Sequence, residues 1–237
     1  MENNLFFRWL SSSLGKKVVM ALTGLFLCVF LLEHLYTNML LYAGDGGVRF
    51  DEASHTMVHT LLIRIIEFVL FGAIIVHVVQ ALRLTGENSK ARPKKYAVDG
   101  TSETSDWFSR NMLPTGGVVL FFIIVHLRMY FLEYRVLDNV GGVGQLTLAQ
   151  EVAGSLENPL YAVLYLVGVF CLALHVNHGF HAALHSLGLS NRKYSDIWKK
   201  AATGYATLIF LGFSSFPILF FLSGALGWDL LNWNVTP

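Results

Sequence analysis

The segment IRIIEFVLFGAIIVHVVQAL, residues 63–82, decides the fold class of this chain. Its β-branched and aromatic side chains are those of a strand. Its length is not, because buried strands run about four to eight residues and an apolar run this long reads as helix. At about 1.5 Å per residue, such a helix crosses the roughly 30 Å hydrocarbon core of a bilayer. Inside that core a single segment satisfies its own backbone only as a helix.

Four other stretches read the same way. We expect spans at about 18–42, 60–84, 113–135, 158–187 and 202–226, an all-α five-helix transmembrane bundle that forms one domain over residues 1–237. The apolar run Val18–Leu41 is too long for a signal-peptide core and lacks a small-x-small cleavage site. It is therefore expected as a retained first span. Pro217 is expected to kink the fifth.

Composition agrees. Of 237 residues, 54% are hydrophobic and only 14% charged, against about 25% charged in a soluble domain. A net charge of +1 with no basic face argues against nucleic acid as a partner. Cys28 and Cys171 both lie in apolar stretches and read as small buried hydrophobes. No Cys-x-x-Cys-His and no paired-cysteine spacing occurs, so neither covalent haem attachment nor a zinc or iron–sulfur site is expected.

The charges set an orientation. Arg8, Lys16, Lys17, Arg83, Lys90, Arg92, Lys94, Lys95, Arg110, Arg192, Lys193, Lys199 and Lys200, 13 of the 17 Lys and Arg, fall on one side of the predicted spans. Asp45, Asp51, Glu52, Asp138, Glu151, Glu157 and Asp229 fall on the other. Basic loops stay in the cytoplasm, which places the N-terminus inside and the C-terminus outside. The basic loop from about 86 to 112 adds Tyr96, Trp107 and Phe108, a mixture suited equally to a plain connector and to docking of a partner protein.

Histidines carry the functional signal. His34, His77, His126 and His175 fall on spans one to four, each 16 or 17 residues after its span begins at Val18, Thr60, Arg110 or Asn158. That interval is about 25 Å of helix. Alternate spans run in opposite directions, so His34 should face His126 in the outer third and His77 should face His175 in the inner third. Spans one and three also share a small echo. Thr23-Gly24 precedes His34 by ten residues counted from the glycine, and Thr115-Gly116 precedes His126 likewise. Ionisable groups in hydrocarbon are costly and usually functional. Two imidazoles facing each other suit an iron whose other four positions are filled by a porphyrin, whereas zinc and copper sites want three or four clustered ligands. Two bis-histidine b haems are the expectation.

Other residues are secondary candidates. His178, His181 and His185 follow His175 along one helical face, with His178 the candidate for a propionate contact. Gly168, seven residues before His175, offers room for a porphyrin plane. His55 and His59 sit in the outer loop, away from either pair. A quinone exchanging protons near a haem would need ionisable groups in the membrane. Glu67 and Arg64, three residues apart on span two, and Glu33 beside His34 are the candidates, although a structural ion pair explains Arg64 and Glu67 equally well.

The run Glu33-His34-Leu35-Tyr36-Thr37-Asn38 resembles the first-helix histidine motif of the succinate dehydrogenase/fumarate reductase cytochrome b family, in its single-subunit, five-helix, di-haem branch. The Thr115-Gly116 to His126 spacing resembles that family's third helix, and His175-Val-Asn-His178-Gly-Phe its fourth. The likeness implies axial pairing of first with third and second with fourth helix. It also implies a flavoprotein and an iron–sulfur subunit bound on the cytoplasmic side of a bacterial inner membrane, with electrons passing between them and a quinone, menaquinone for this branch. The chain alone should carry out no dicarboxylate chemistry. Some relatives have another polar residue at His178, so that position is not read as an iron ligand. Two other readings compete: a di-haem anchor of a hydrogenase or formate dehydrogenase, which typically has four spans, and a transporter coupling protons through intramembrane histidines.

The topology predicts that a reporter fused after Pro237 reports an extracytoplasmic location and one inserted near Asp99 the cytoplasm. The reverse pattern would overturn the orientation.

Overall fold

A helix in lipid closes its own hydrogen bonds, and the chain obeys that requirement throughout. The computed structural model describes residues 5–91, 110–137, 145–191 and 193–228, and no strand occurs among them. The helices are α1 Leu5–Ser11, α2 Ser13–Met39, α3 Val48–His59 and α4 Leu61–Ala91. After them come α5 Met112–His126, α6 Leu148–Glu157, α7 Pro159–Ser186 and α8 Ser195–Leu226. A 3₁₀ turn at Leu40–Tyr42 extends α2, and a π-helical segment, Leu127–Val136, continues α5 directly from His126. The docking candidates Tyr96, Trp107 and Phe108 lie outside the described residues.

Five helices are long and apolar enough to cross a membrane: Ser13–Tyr42, Leu61–Lys90, Met112–Val136, Pro159–Ser186 and Ser195–Leu226. Their outward faces are apolar, with Phe68 at 75% and Val29 at 66% exposure. Water would not tolerate so continuous an apolar surface. The chain is a multi-pass membrane protein.

Three spans outrun the lengths expected from hydropathy, the first by beginning at Ser13 rather than near residue 18. The second continues past residue 84 to Lys90, and the fifth begins at Ser195 rather than near residue 202. Apolar length marks where hydrocarbon ends, but Glu and Lys are good helix formers and carry α4 onward. At the start of α8, Asp196 lies in the first turn, where the helix dipole favours an acid. Within α8 the helix runs unbroken through Pro217, whose ring is fully buried.

The residues fall into two compact units. The first comprises Met1–Phe30, Glu67–Thr115 and Leu174–Ala206. There the small residues Ala21, Ala183, Ala202 and Ala206 are buried, which lets helix backbones approach closely. Tyr205 donates its hydroxyl to the Cys28 carbonyl at 2.6 Å and stacks on Phe180 at 5.3 Å. Cys28 is buried, as its apolar setting implied.

The second unit comprises Leu31–Ile66, Gly116–Ala173 and Thr207–Pro237. Gly212 admits Leu35 so closely that a Cβ there would lie 2.7 Å from Leu35 Cδ2. Tyr42 stacks on Phe216 at 5.0 Å. Between α2 and α3 the chain turns through Gly44, Gly46 and Gly47, whose φ values of 71°, 69° and 86° would strain any residue with a Cβ.

The short helices α3 and α6 are tied by one charged hydrogen bond. Asp51 Oδ1 accepts from the Ala149 N–H at 2.9 Å. That N–H belongs to the first turn of α6 and has no partner within its helix. Thr147 and Gln150 close a capping box around the same turn. A hydrogen bond to a charged group contributes about 1.5–3 kcal/mol. Asp51→Ala should therefore lower the unfolding temperature in detergent, while Glu52→Ala, exposed on the same helix, should not. Equal shifts for both would show that the cap does not tie the helices.

Candidate functional site

His34 on α2 and His126 at the end of α5 lie in the second unit, their ring centroids 5.7 Å apart and their planes crossed at 87°. His77 on α4 and His175 on α7 lie in the first unit, 6.3 Å apart at 69°. These are the partners that the position of each histidine along its span predicts. All four rings are half-buried.

The spacing can be tested against a metal. With bonds of about 2.0–2.1 Å to imidazole nitrogen, two trans imidazoles place their ring centroids about 6.3–6.5 Å apart. His77 and His175 stand at that spacing. His34 and His126 would have to part by roughly 0.6–0.8 Å to reach it. Among the described residues no three His, Cys, Asp or Glu side chains gather as a metal site. Among the described residues each centre thus offers two imidazoles, a set that suits iron in a macrocycle better than tetrahedral zinc.

The ring nitrogens facing away from the centres are equally informative. Thr23 Oγ1 lies 3.2 Å from His77 Nδ1. Thr23 shares its hydroxyl hydrogen between the Val19 carbonyl at 2.9 Å and the Met20 carbonyl at 3.1 Å. That leaves its oxygen to accept, the arrangement that suits a proton on His77 Nδ1. Gly24 keeps this contact close, since a Cβ there would already lie 3.4 Å from His77 Cε1. At the other centre the Tyr165 hydroxyl lies 3.2 Å from His126 Nδ1 and donates to Met129 Sδ at 3.9 Å. Tyr165 also hydrogen-bonds the Tyr130 hydroxyl; with its hydrogen on either of these acceptors its oxygen faces Nδ1, the arrangement that suits an Nδ1–H. A neutral imidazole protonated at Nδ1 presents its lone pair at Nε2, the state a metal ligand requires. His175 Nδ1 is buried, and the ring has a backbone hydrogen-bond partner at Met112, at the start of α5.

Aromatic rings wall the His34/His126 centre. Phe213 stands 5.7 Å from His34. Phe122, Tyr130 and Tyr165 stand 5.9, 5.3 and 6.0 Å from His126. Tyr130 is held in turn by Ser155, hydroxyl to hydroxyl at 2.7 Å. Gly168 serves this wall and does not hold open a porphyrin slot, because a Cβ there would lie 2.5 Å from Phe122 Cδ2. The seven-residue interval to His175 misled because Gly168 belongs to the other unit. The π-helical segment beginning at Leu127 changes which side chains follow His126 around the helix. Such segments concentrate at functional sites.

In the first unit a cavity of about 560 Å³ is lined on α4 by Val76 and Gln80, one residue before and three after His77, and by Lys16, Arg83 and Glu87. Lys16 pairs with Glu87. Gln80 Oε1 is buried with no hydrogen-bond partner among the described residues. With Lys16 already held by Glu87, the cavity offers the Arg83 cation and the Gln80 amide to an anionic group.

The remaining candidates are dispersed. His178 and His181 are half-buried on α7, and His185 is exposed. His55 and His59 form an exposed pair on α3, rings 4.2 Å apart. Glu33 is exposed and accepts from Thr37 Oγ1 at 2.9 Å. Arg64 is exposed and Glu67 half-buried. No family model, curated protein or solved structure matches the chain.

The sequence reading took Thr23-Gly24 as a companion of His34 and missed Tyr165. Both lie about three helical turns before a histidine of their own helix. Thr23 precedes His34 by eleven residues and Tyr165 precedes His175 by ten, yet each contacts a histidine of the other pair. Thr115 repeats Thr23's backbone bonds, donating to Asn111 at 2.7 Å and Met112 at 3.3 Å.

Overpacking a helix contact costs about 1–3 kcal/mol. Gly168→Ala should lower thermal stability in detergent by displacing Phe122 from His126. Gly72→Ala, where a Cβ meets nothing within 4 Å, should be neutral or stabilising. If both variants melted with the wild type, Phe122 would not be confined by Gly168.

Proposed function

We propose that this chain is the di-haem membrane-anchor subunit of a succinate:quinone oxidoreductase in a bacterial cytoplasmic membrane. The observation that carries the reading is the pairing of four half-buried histidines from four different helices into two separate two-imidazole centres. The family resemblance of the motifs around His34, His126 and His175 supplies the rest.

In this reading His34 and His126 hold one haem b through Nε2, and His77 and His175 hold the other. Bound haem supplies a one-electron Fe(III)/Fe(II) couple. The chain's own residues hold, orient and shield. Phe122, Phe213, Tyr130 and Tyr165 keep one centre apolar. Arg83 and Gln80 offer a polar rim beside His77 for carboxylates of a bound cofactor. His178, also on α7, is a second propionate contact. Electrons pass between a cytoplasmic iron–sulfur subunit, itself fed by a flavoprotein that handles succinate or fumarate, and a quinone, menaquinone in this branch. Glu67 is the proton-exchanging group at the quinone; Arg64, three residues before it, and Glu33, beside His34, are separate charged candidates. The half-buried Glu67 carboxyl on a membrane span supports this, since such groups are costly to retain.

Purified protein should show a Soret band that shifts on dithionite reduction, with two haems per chain. His77→Ala or His175→Ala should reduce this to about one, retaining the His34/His126 haem. A colourless wild-type protein would overturn the proposal, and so would two haems remaining in each single variant.

A further inference from the structure

We infer that Thr23 and Tyr165 are the positioning residues of the two centres: each accepts the Nδ1–H of one histidine, His77 and His126 respectively, and so sets that centre's electron affinity independently of the other. The inference rests on the proposed haem ligation and adds to it the residues that tune each site.

The two acceptors differ chemically. Thr23 spends its hydroxyl hydrogen on the backbone of its own helix, at Val19 and Met20. Donation by a hydroxyl enriches its oxygen as an acceptor. His77 Nδ1 therefore faces an oxygen whose own hydrogen is engaged by its helix. Tyr165 has two acceptors for its hydrogen, the Tyr130 hydroxyl and the Met129 sulfur, a weak one. That phenol can rotate its hydrogen toward Nδ1 instead, leaving the proton on Nε2 and no lone pair for a metal. Iron at His126 Nε2 therefore depends on Tyr130 and Met129 keeping the phenol hydrogen occupied. Tyr165 is itself held, 7% exposed and packed edge-on against Phe122 at 5.0 Å.

An acceptor behind an axial imidazole draws its N–H proton outward and makes the ring a stronger donor to iron. Electron donation stabilises Fe(III) over Fe(II), which lowers the midpoint potential. Removing the acceptor must raise it. Because the two acceptors sit behind histidines of different centres, each removal should move one potential only.

The experiment is a redox titration of the α-band absorbance, with low-temperature EPR of the oxidised protein, on wild type, Tyr165→Phe, Thr23→Val and Thr23→Ser. Two haems in wild type secure the underlying reading, and none would overturn it together with this inference. With two haems bound, Tyr165→Phe should raise one midpoint potential and shift one low-spin EPR signal. Thr23→Val should raise the other potential, and Thr23→Ser, which keeps the hydroxyl, should restore it. Unmoved potentials, or both variants moving the same haem, would overturn the assignment. Should Tyr165→Phe not assemble, the double variant Tyr130→Phe/Met129→Leu decides the point: with both acceptors removed the phenol hydrogen is free to turn to Nδ1, which should weaken or remove the haem that His126 holds, and an unchanged haem would count against Tyr165.

Discussion

Imidazoles held in hydrocarbon must find something to do with two nitrogens each, and that requirement organises the interior of this bundle. A bilayer supplies no water to satisfy a ring N–H or lone pair, and an orphaned polar atom costs about 1–3 kcal/mol. The chain answers in one way at His77 and His126. A hydroxyl on a neighbouring helix takes the Nδ1 side, and the paired histidine stands across from the ring. Gly24 gives the approach to His77 its room, and Gly168 admits the Phe122 ring beside His126. The aromatic wall around His126 and the cap that Asp51 places on α6 belong to the same unit.

Much of this was legible because the membrane simplifies the code. A backbone that must close its own hydrogen bonds leaves one secondary structure for an apolar run like residues 63–82. Helical rise then converts sequence interval into depth, so intervals of 16 and 17 residues predicted which histidines would meet. Where the membrane ends the code weakens. Charged helix formers carried α4 to Ala91, and Asp196 let α8 begin well before its apolar stretch.

The less legible features are those in which one residue serves a partner distant in the chain. Gly168 shares α7 with His175, and its Cβ position is nevertheless taken by Phe122 of α5. Thr23 shares α2 with His34 and contacts His77 of α4. A motif read along one helix assigns each residue to its nearest landmark in sequence, whereas lateral packing assigns it to a neighbouring helix at its own level. The quinone-site candidates meet the same difficulty. Glu67 and Arg64 are one turn apart in sequence, and nothing in their spacing says which groups from other helices complete a site.

Two-imidazole centres with no third His, Cys, Asp or Glu among the described residues suit haem iron better than tetrahedral zinc, and bound haem is what separates the proposed redox anchor from a proton-coupled transporter. Near-infrared magnetic circular dichroism of the oxidised, purified chain, read with its low-temperature EPR spectrum, reports the axial ligands of ferric haem directly. The account predicts two low-spin ferric signals, each with the charge-transfer signature of bis-imidazole ligation. High-spin iron, a histidine–methionine signature or the absence of any haem signal would contradict it.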